Sequence, residues 1–370
     1  MIRILHVLGG LDRGGAETMV MNLYRSIDRS QIQFDFITHT DRHQAYTDEV
    51  LKLGGKIYYF PKFKGVNFFQ VKKLWTNFFK EHPEYNILHS HVRSYASLYL
   101  PIAQKAGLKT IIHSHSTSNG KGVSSIVKRL MQFPLRYQAD YFFGCSKEAG
   151  EWLFGKKVVE SPKYHILRNA IDTEKFIYSA ELRNRMRKEL NLENKLIIGN
   201  IGRLTYPKNQ SFLIEVFEEV CKKNCDTVLV IVGKGSLEKK LREKVSLLGL
   251  ENNVVFLGER SDIPAIMFAM DVFVFPSIYE GLGIVAVESQ AAGLRTICSD
   301  RIPKETEITD LIEYISLKES KEKWSESILN ALHVKDRPNK QNEIVCAGYD
   351  IKKTANYLAC FYESLNEGFC

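Results

Sequence analysis

Two carboxylates and a run of glycines carry the densest chemistry in this chain. Glu280 and Glu288, with seven residues between them, bracket Gly281 and Gly283 directly after the apolar run Val272 to Phe275. The pattern predicts a buried strand, a loop and then a helix. Gly281 and Gly283 remove the side chains that would hold a ligand off the backbone, and the first free N–H groups of the helix can face an anion such as a diphosphate. Glu288 falls roughly two turns along that helix, so both carboxylates can face one cleft. A second constellation, Gly202-Arg203-Leu204 with Lys208 five residues after the arginine, follows another apolar run. Two cations beside a strand-end glycine can neutralise a diphosphate leaving group, arginine by bidentate contact and lysine as a point charge. Two His-x-His pairs, His89-Ser90-His91 and His113-Ser114-His115, each end a predicted strand. Alternate strand residues share a face, so each pair could supply two metal ligands. No further ligand accompanies them at metal-site spacing, and strand ends of a parallel α/β sheet line the ligand crevice with or without a metal.

The elements that must position these groups alternate strand with helix through both halves. That implies two Rossmann-like, doubly wound parallel sheets facing a central cleft. The 370 residues, 44% of them hydrophobic, suit two α/β domains, because single cores stop growing near roughly 250–300 residues. No apolar run reaches the roughly 18 residues of a membrane span. The opening MIRILHVLGG reads as a glycine-ended strand rather than a signal peptide. The seven cysteines are scattered, with Cys221 and Cys225 too far apart for a CxxC motif, which fits reduced thiols and no structural zinc. These features predict a non-secreted, cytoplasmic protein.

The net charge of +8 is unevenly shared. Residues 1–168 carry 24 Lys and Arg against 13 Asp and Glu, or +11, which leaves 27 against 30, or −3, for the remainder. A basic half suits nucleic acid, anionic lipid or a phosphorylated acceptor, and charge alone does not choose among them.

In chain order, the first strand runs into Gly9 and Gly10, then Arg13-Gly14-Gly15-Ala16-Glu17, then a helix with Met19, Val20, Leu23 and Tyr24 inward. The loop sits where such a sheet binds phosphate or substrate, although the G-x-G-x-x-G dinucleotide fingerprint does not occur there. Residues 60–83 combine a helical stripe of Val71, Leu74, Trp75 and Phe78 with Lys62, Lys64, Lys72, Lys73 and Lys80. Phe63, Phe68, Phe69 and Phe79 add more aromatic surface than one buried stripe needs. Two readings stand: an interfacial membrane contact, or a helix packed on the sheet with solvated lysines. The segment is also the sole candidate for stacking nucleic-acid bases. Domain limits are expected at 1–170, 171–350 and a C-terminal helical segment 351–370.

Five elements in order resemble the retaining nucleotide-sugar glycosyltransferases of family 4, which have the two-Rossmann, GT-B architecture. They are the Arg13-Gly14-Gly15-Ala16-Glu17 loop, His115, the Asn169-Ala170-Ile171-Asp172 linker, Arg203 with Lys208, and the E-x7-E pair Glu280 and Glu288. The resemblance covers essentially the whole chain and is most like exopolysaccharide and capsule transferases. It implies that Gly14 and Gly15 belong to the acceptor-side loop. It places Gly202, Arg203, Lys208, Gly281, Leu282 and Gly283 at the diphosphate, Arg260 in the nucleobase-side loop, and Glu288 on the ribose hydroxyls. Glu280 would orient the donor sugar without acting as a nucleophile. His115 would position the sugar or acceptor, with His113 as the alternative. The implied reaction moves a sugar from a nucleotide diphosphate, by default UDP, to a saccharide acceptor, lipid-linked where the protein lies at the inner membrane face. No cofactor or dedicated metal is implied, and no nucleic-acid partner. Arg295 stands where the family usually has proline after Gly293, and Leu282 where phenylalanine is common. A two-Rossmann sugar-nucleotide epimerase is the alternative reading. It shares the fold and needs no acceptor.

Overall fold

The computed structural model describes residues 1–93, 95–115 and 130–367; Ser116 and Thr117, which follow His115, lie outside them. The chain divides into two α/β units, Met1–Ile171 with Asp350–Cys370, and Asp172–Tyr349.

The first unit is a seven-stranded sheet in the order β3-β2-β1-β4-β5-β6-β7. Its strands are β1 Ile2–Val7, β2 Ile32–Thr38, β3 Ile57–Tyr59, β4 Ile87–Ser90, β5 Lys109–Ser114, β6 Tyr141–Gly144 and β7 Tyr164–Ile166. All paired strands run parallel. Near-continuous apolar runs such as ILHV in β1 and FDFI in β2 follow from burial on both faces. One face is covered by the helix Gly15–Ser26 and by the C-terminal helix Ile351–Glu367, whose Ile351, Ala355, Leu358 and Tyr362 enter that core. The other face holds Phe68–Glu81 and Ala96–Lys105, with Trp75, Phe78, Tyr99 and Leu100 buried. Ile171 and Asp350 form an isolated parallel bridge, and Ile351 N donates to Ile171 O at 2.9 Å. The chain therefore returns to the first sheet beside the point at which it left.

The second unit is a six-stranded parallel sheet, order β10-β9-β8-β11-β12-β13. Its strands are β8 Leu196–Ile201, β9 Thr227–Val232, β10 Val254–Gly258, β11 Val272–Phe275, β12 Arg295–Ser299 and β13 Ile312–Ile315. Helices Gln210–Lys223, Glu238–Leu247 and Lys321–Leu332 cover one face through Phe217, Leu241, Trp324 and Ile328.

Both sheets change winding direction once. Chain order runs outward from β1 to β3 on one side and from β4 to β7 on the other, and likewise outward from β8 and from β11. The crevices beyond β1/β4 and β8/β11 are therefore topological switch points, where open α/β sheets bind their ligands.

Candidate active site

Every donor-side residue singled out above except Arg260 and Glu288 lies on one of the two loops that leave β8 and β11. Those loops are stitched together. Lys208 Nζ donates to Glu280 Oε1 at 2.6 Å, Asn209 Nδ2 to Pro276 O at 3.1 Å, and Ile278 N to Pro207 O at 2.8 Å. Asn209 achieves its contact from a left-handed backbone, φ 57° and ψ 32°, which also starts the helix Gln210–Lys223. Asparagine tolerates that region better than most residues. The sequence pattern around Arg203 and Lys208 did not reveal Asn209; its only signal is an asparagine one residue before a helical stripe.

Lys208 and Glu280 are both largely enclosed, and Lys208 Nζ also lies 4.9 Å from the centre of the Phe275 ring. The lysine charge is thus held at the end of β11 and matched by one carboxylate. Arg203 is exposed, and among the described residues its guanidinium makes no hydrogen bond or ion pair. It is a free cation beside a paired one. Gly202 and Gly233 bring the two neighbouring strand ends close: a Cβ on Gly233 would fall 2.1 Å from Gly202 O.

Gly283, at φ 87° and ψ 48°, is the N-cap of the helix Ile284–Ala291, and no side chain caps that helix. The first N–H groups of a helix have no intrahelical acceptor, so this end stays open toward an anion. A Cβ on Gly283 would meet Phe275 Cε1 at 3.1 Å and Ile302 Cγ2 at 3.3 Å, so glycine is required both by the backbone and by the space. Gly281 is half-buried and Leu282 is buried, turned into the core. Glu288 lies in the second turn of the same helix. It retains a narrow opening to solvent, and its burial pushes its carboxyl up from 4.5 to about 7. Buried Ser277 Oγ, Asn200 Oδ1 and Gln210 Oε1 have no partner among the described residues, which adds polar capacity beside the two loops.

Arg260, expected in the nucleobase-side loop, is ion-paired. Its guanidinium is bound by Asp262, at 2.6 and 2.8 Å, and by Glu189 at 2.9 Å, and these carboxylates hold its pKa up. It stands just before the helix Ile263–Ala269.

In the first unit, Gly14 is the N-cap of Gly15–Ser26, again with no side-chain cap, and Glu17 folds over it. Beside this loop the ends of β1, β4 and β5 carry five histidines rather than four. His6 on β1 is the register partner of His89 on β4. His6 Nδ1 lies 3.0 Å from His91 Nε2, and His91 Nδ1 lies 2.8 Å from His115 Nε2. His89 Nδ1 meets the Tyr362 hydroxyl at 2.6 Å. Each bond needs one proton, so a neutral His91 donates through one nitrogen and accepts through the other, aligning the protons of all three rings.

Burial pushes His6 and His115 down from 6.5 to about 3, with the Arg93 charge also acting on His115, and holds His89, His91 and His113 well below 6.5. His113 is fully buried and neither ring nitrogen has a partner among the described residues. His115 is the more accessible of the two. Two triads, His6 with His89 and His91, and His91 with His113 and His115, bring their nitrogens within 4.8 Å. The rings stack, with interplanar angles of 14° for His6 and His91 and 25° for His113 and His115. Among the described residues no carboxylate joins either triad, and burial keeps the five imidazoles neutral.

Against known proteins, residues 13–175 match the family model Glycosyltransferase Family 4, and residues 183–347 match Glycosyl transferases group 1. EpsF of Bacillus subtilis (strain 168), named as a glycosyltransferase, is 33% identical over 99% of this chain and 97% of its own length. This chain belongs to the family 4 glycosyltransferases. The transferase is also 28% identical to the Escherichia coli UDP-Gal:alpha-D-GlcNAc-diphosphoundecaprenol alpha-1,3-galactosyltransferase, over 59% of this chain and 58% of that one. Anabaena HepE, solved in complex with UDP, superposes with a TM-score of 0.79 at 18% identity, covering 98% of the transferase and 100% of that chain. That likeness bears on the fold, two parallel-sheet α/β units of the GT-B type.

Proposed function

We propose that the transferase moves a sugar from a UDP-sugar to a lipid-linked saccharide in surface-polysaccharide assembly, with retention at the anomeric carbon and no metal at the diphosphate. The observation that carries this reading is the loop pair at the β8/β11 switch point. It supplies Arg203, Lys208 and an uncapped helix N-terminus together. Fixed cations and dipoles aimed where charge develops are the largest expected contribution to catalysis.

On donor binding the diphosphate takes over Lys208, and the freed Glu280 accepts hydrogen bonds from the sugar hydroxyls. Arg203 and the backbone at Gly202, Gly281, Leu282 and Gly283 complete the diphosphate cradle, and Glu288 accepts from the ribose. In transfer, the bond from the anomeric carbon to the phosphate oxygen breaks and the acceptor oxygen bonds to that carbon. The acceptor proton leaves with the diphosphate. Within the first unit, the Gly14-Gly15 loop and His115, a neutral imidazole, are the groups this reading assigns to the sugar or acceptor.

A uridine donor is supported by the E. coli relative, whose name specifies UDP-galactose, and by the UDP complex of the structural neighbour. The lipid-linked acceptor is supported by the diphosphoundecaprenol of that relative's name and by the basic 60–83 segment. In that segment Val66 and Phe69 are 95% and 83% exposed. Phe79, counted above among the surface aromatics, is buried against Trp75 and Phe78, so the aromatic surface is smaller than the composition suggests. No described helix is long and apolar enough to cross a membrane.

A thermal-shift panel of nucleoside diphosphates and their sugars tests the reading, since a ligand bound only by the folded state raises Tm by mass action. UDP and UDP-sugars should shift the transition. No shift with any nucleotide would sink the donor assignment.

A further inference from the structure

A cavity of about 610 Å³ opens in the first unit between the helices Phe68–Glu81 and Ala96–Lys105. Its walls are Phe63, Phe68, Phe79, Leu98, Pro101 and Ile102, and its charged lining residues are Lys72, Lys80 and Lys105, with no carboxylate among them. Among the described residues none of these lysines is ion-paired. Pro101 sits inside the second helix, where a missing N–H and a displaced ring loosen the packing of the preceding turn. On the same segment Phe69 and Val66 are exposed, and the Phe69 ring lies edge-on to the lining Phe68 at 5.4 Å between centroids.

An apolar cavity with a single-sign cationic rim selects an amphiphile. The apolar walls offer nothing to the polar edges of a nucleobase or to a hydrated sugar, and the volume lies in the range of small-ligand pockets. The rim matches phosphate. We propose that this cavity holds the tail of the lipid-linked acceptor, an isoprenoid chain seated between the two helices with its phosphate or diphosphate on Lys72, Lys80 and Lys105. The proposal rests on the lipid-linked acceptor reading above and adds the place where the tail binds. It accounts for a cavity beside a helix that already has a complete buried stripe. Each methylene removed from water is worth roughly a fourfold gain in affinity, so tail length becomes a determinant of acceptor recognition.

The probe is farnesyl diphosphate, measured by equilibrium binding to the full chain against inorganic diphosphate and farnesol. Farnesyl diphosphate should bind at least tenfold more tightly than either fragment. Ala106→Trp, which fills the cavity from an exposed lining position, should weaken it tenfold or more. Lys72→Glu combined with Lys105→Glu should weaken it similarly and act only at the surface. Both variants should keep the wild-type UDP thermal shift. Wild-type affinity in both folded variants overturns the proposal, as does equal competition by vesicles of phosphatidylglycerol, which would make the cavity a general membrane anchor. The acceptor reading is separated by turnover with saccharide diphosphates carrying one, three or eleven isoprene units. If KM falls with tail length in the wild type and equally in both variants, the acceptor reading stands and this cavity is not the tail site. If tail length has no effect on the wild type, both fall.

Discussion

Glu288 is enclosed enough that its carboxyl titrates near neutrality, and this gives the donor-binding role a sharp signature. Its pKa rises from 4.5 to about 7 because burial disfavours the charged form. The sign follows directly. Between pH 4.5 and 7 the unfolded chain releases this proton and the folded chain keeps it, so stability is lost as pH rises and the full cost is reached above 7. At about 1.4 kcal/mol per pKa unit the cost approaches ~3 kcal/mol. Glu288→Gln removes it, so the variant should unfold at a higher denaturant midpoint than the wild type at pH 8 and at a similar one at pH 4.5. Donor binding should move the opposite way. If the ionised carboxylate accepts from the ribose, affinity for a nucleotide sugar should rise roughly tenfold from pH 6 to pH 8 in the wild type, following the ionised fraction. Glu288→Gln should bind weakly with no such slope. The sugar-capped diphosphate must be used because a terminal phosphate titrates in the same range. Calorimetric titration of UDP-glucose at pH 6, 7 and 8 measures this. An equal slope in Glu288→Gln, or a flat wild-type profile, would refute the assignment of that carboxylate to the ribose.

Glu280→Gln should release Lys208 from its 2.6 Å ion pair. Isothermal titration should then find UDP binding several-fold tighter while the transfer rate falls, and weaker UDP binding would count against Lys208 as a diphosphate ligand. Lys208→Ala leaves the enclosed Glu280 unpaired and should cost about 1–3 kcal/mol of stability together with donor affinity; wild-type values of both remove its role. Gly283→Ala forces a left-handed backbone on a residue with a Cβ and should lower stability by about 1–2 kcal/mol with a loss of UDP-induced Tm shift. The five clustered histidines, and buried His39 with them, stay neutral when folded and protonate on unfolding below about pH 6.5. Stability of the first unit is therefore complete above that pH and drains as pH falls, by up to roughly 1.4 kcal/mol per histidine per pH unit. Urea unfolding of a Trp324→Phe variant, which leaves Trp75 and Trp152 as the reporters of that unit, should show the fall between pH 6.5 and 5. A flat midpoint would mean that the stack is already charged in the native state.

The donor loops were legible in the sequence because their chemistry is local. A strand, a glycine break and a charged residue lie within about ten residues at both β8 and β11, and each piece announces its own conformation. What joins the two loops was not legible. Lys208 meets Glu280 only because β8 and β11 are neighbours in a sheet whose order departs from the chain order, and no pattern within either loop encodes that adjacency. β7 and β13 are not legible for a related reason. Tyr164–Ile166 and Ile312–Ile315 are edge strands and only partly buried, so neither carries an apolar run like that of β11, and tertiary pairing decides them. The helix Gln341–Cys346 buries one residue, Ile344, and so reads as polar chain.

The histidine stack takes the same lesson further. Two His-x-His pairs were visible as strand-end ligands, but His6 was hidden in the first strand among apolar residues. The switch point brings it in, because the winding reversal makes β1 and β4 neighbours across most of a hundred residues of chain. A ring that would be an ordinary core histidine beside a sequential neighbour becomes the inner end of a hydrogen-bonded series running through His91 to His115. That series couples the tautomer of His115 to those of His91 and His6, since reversing one bond requires reversing the other. His91→Phe keeps an aromatic ring in the stack and removes the series. In the proposed reaction it should therefore alter kcat and its pH profile while leaving UDP binding in the second unit unchanged. A His91→Phe enzyme with the wild-type pH profile would show that His115 needs no such support.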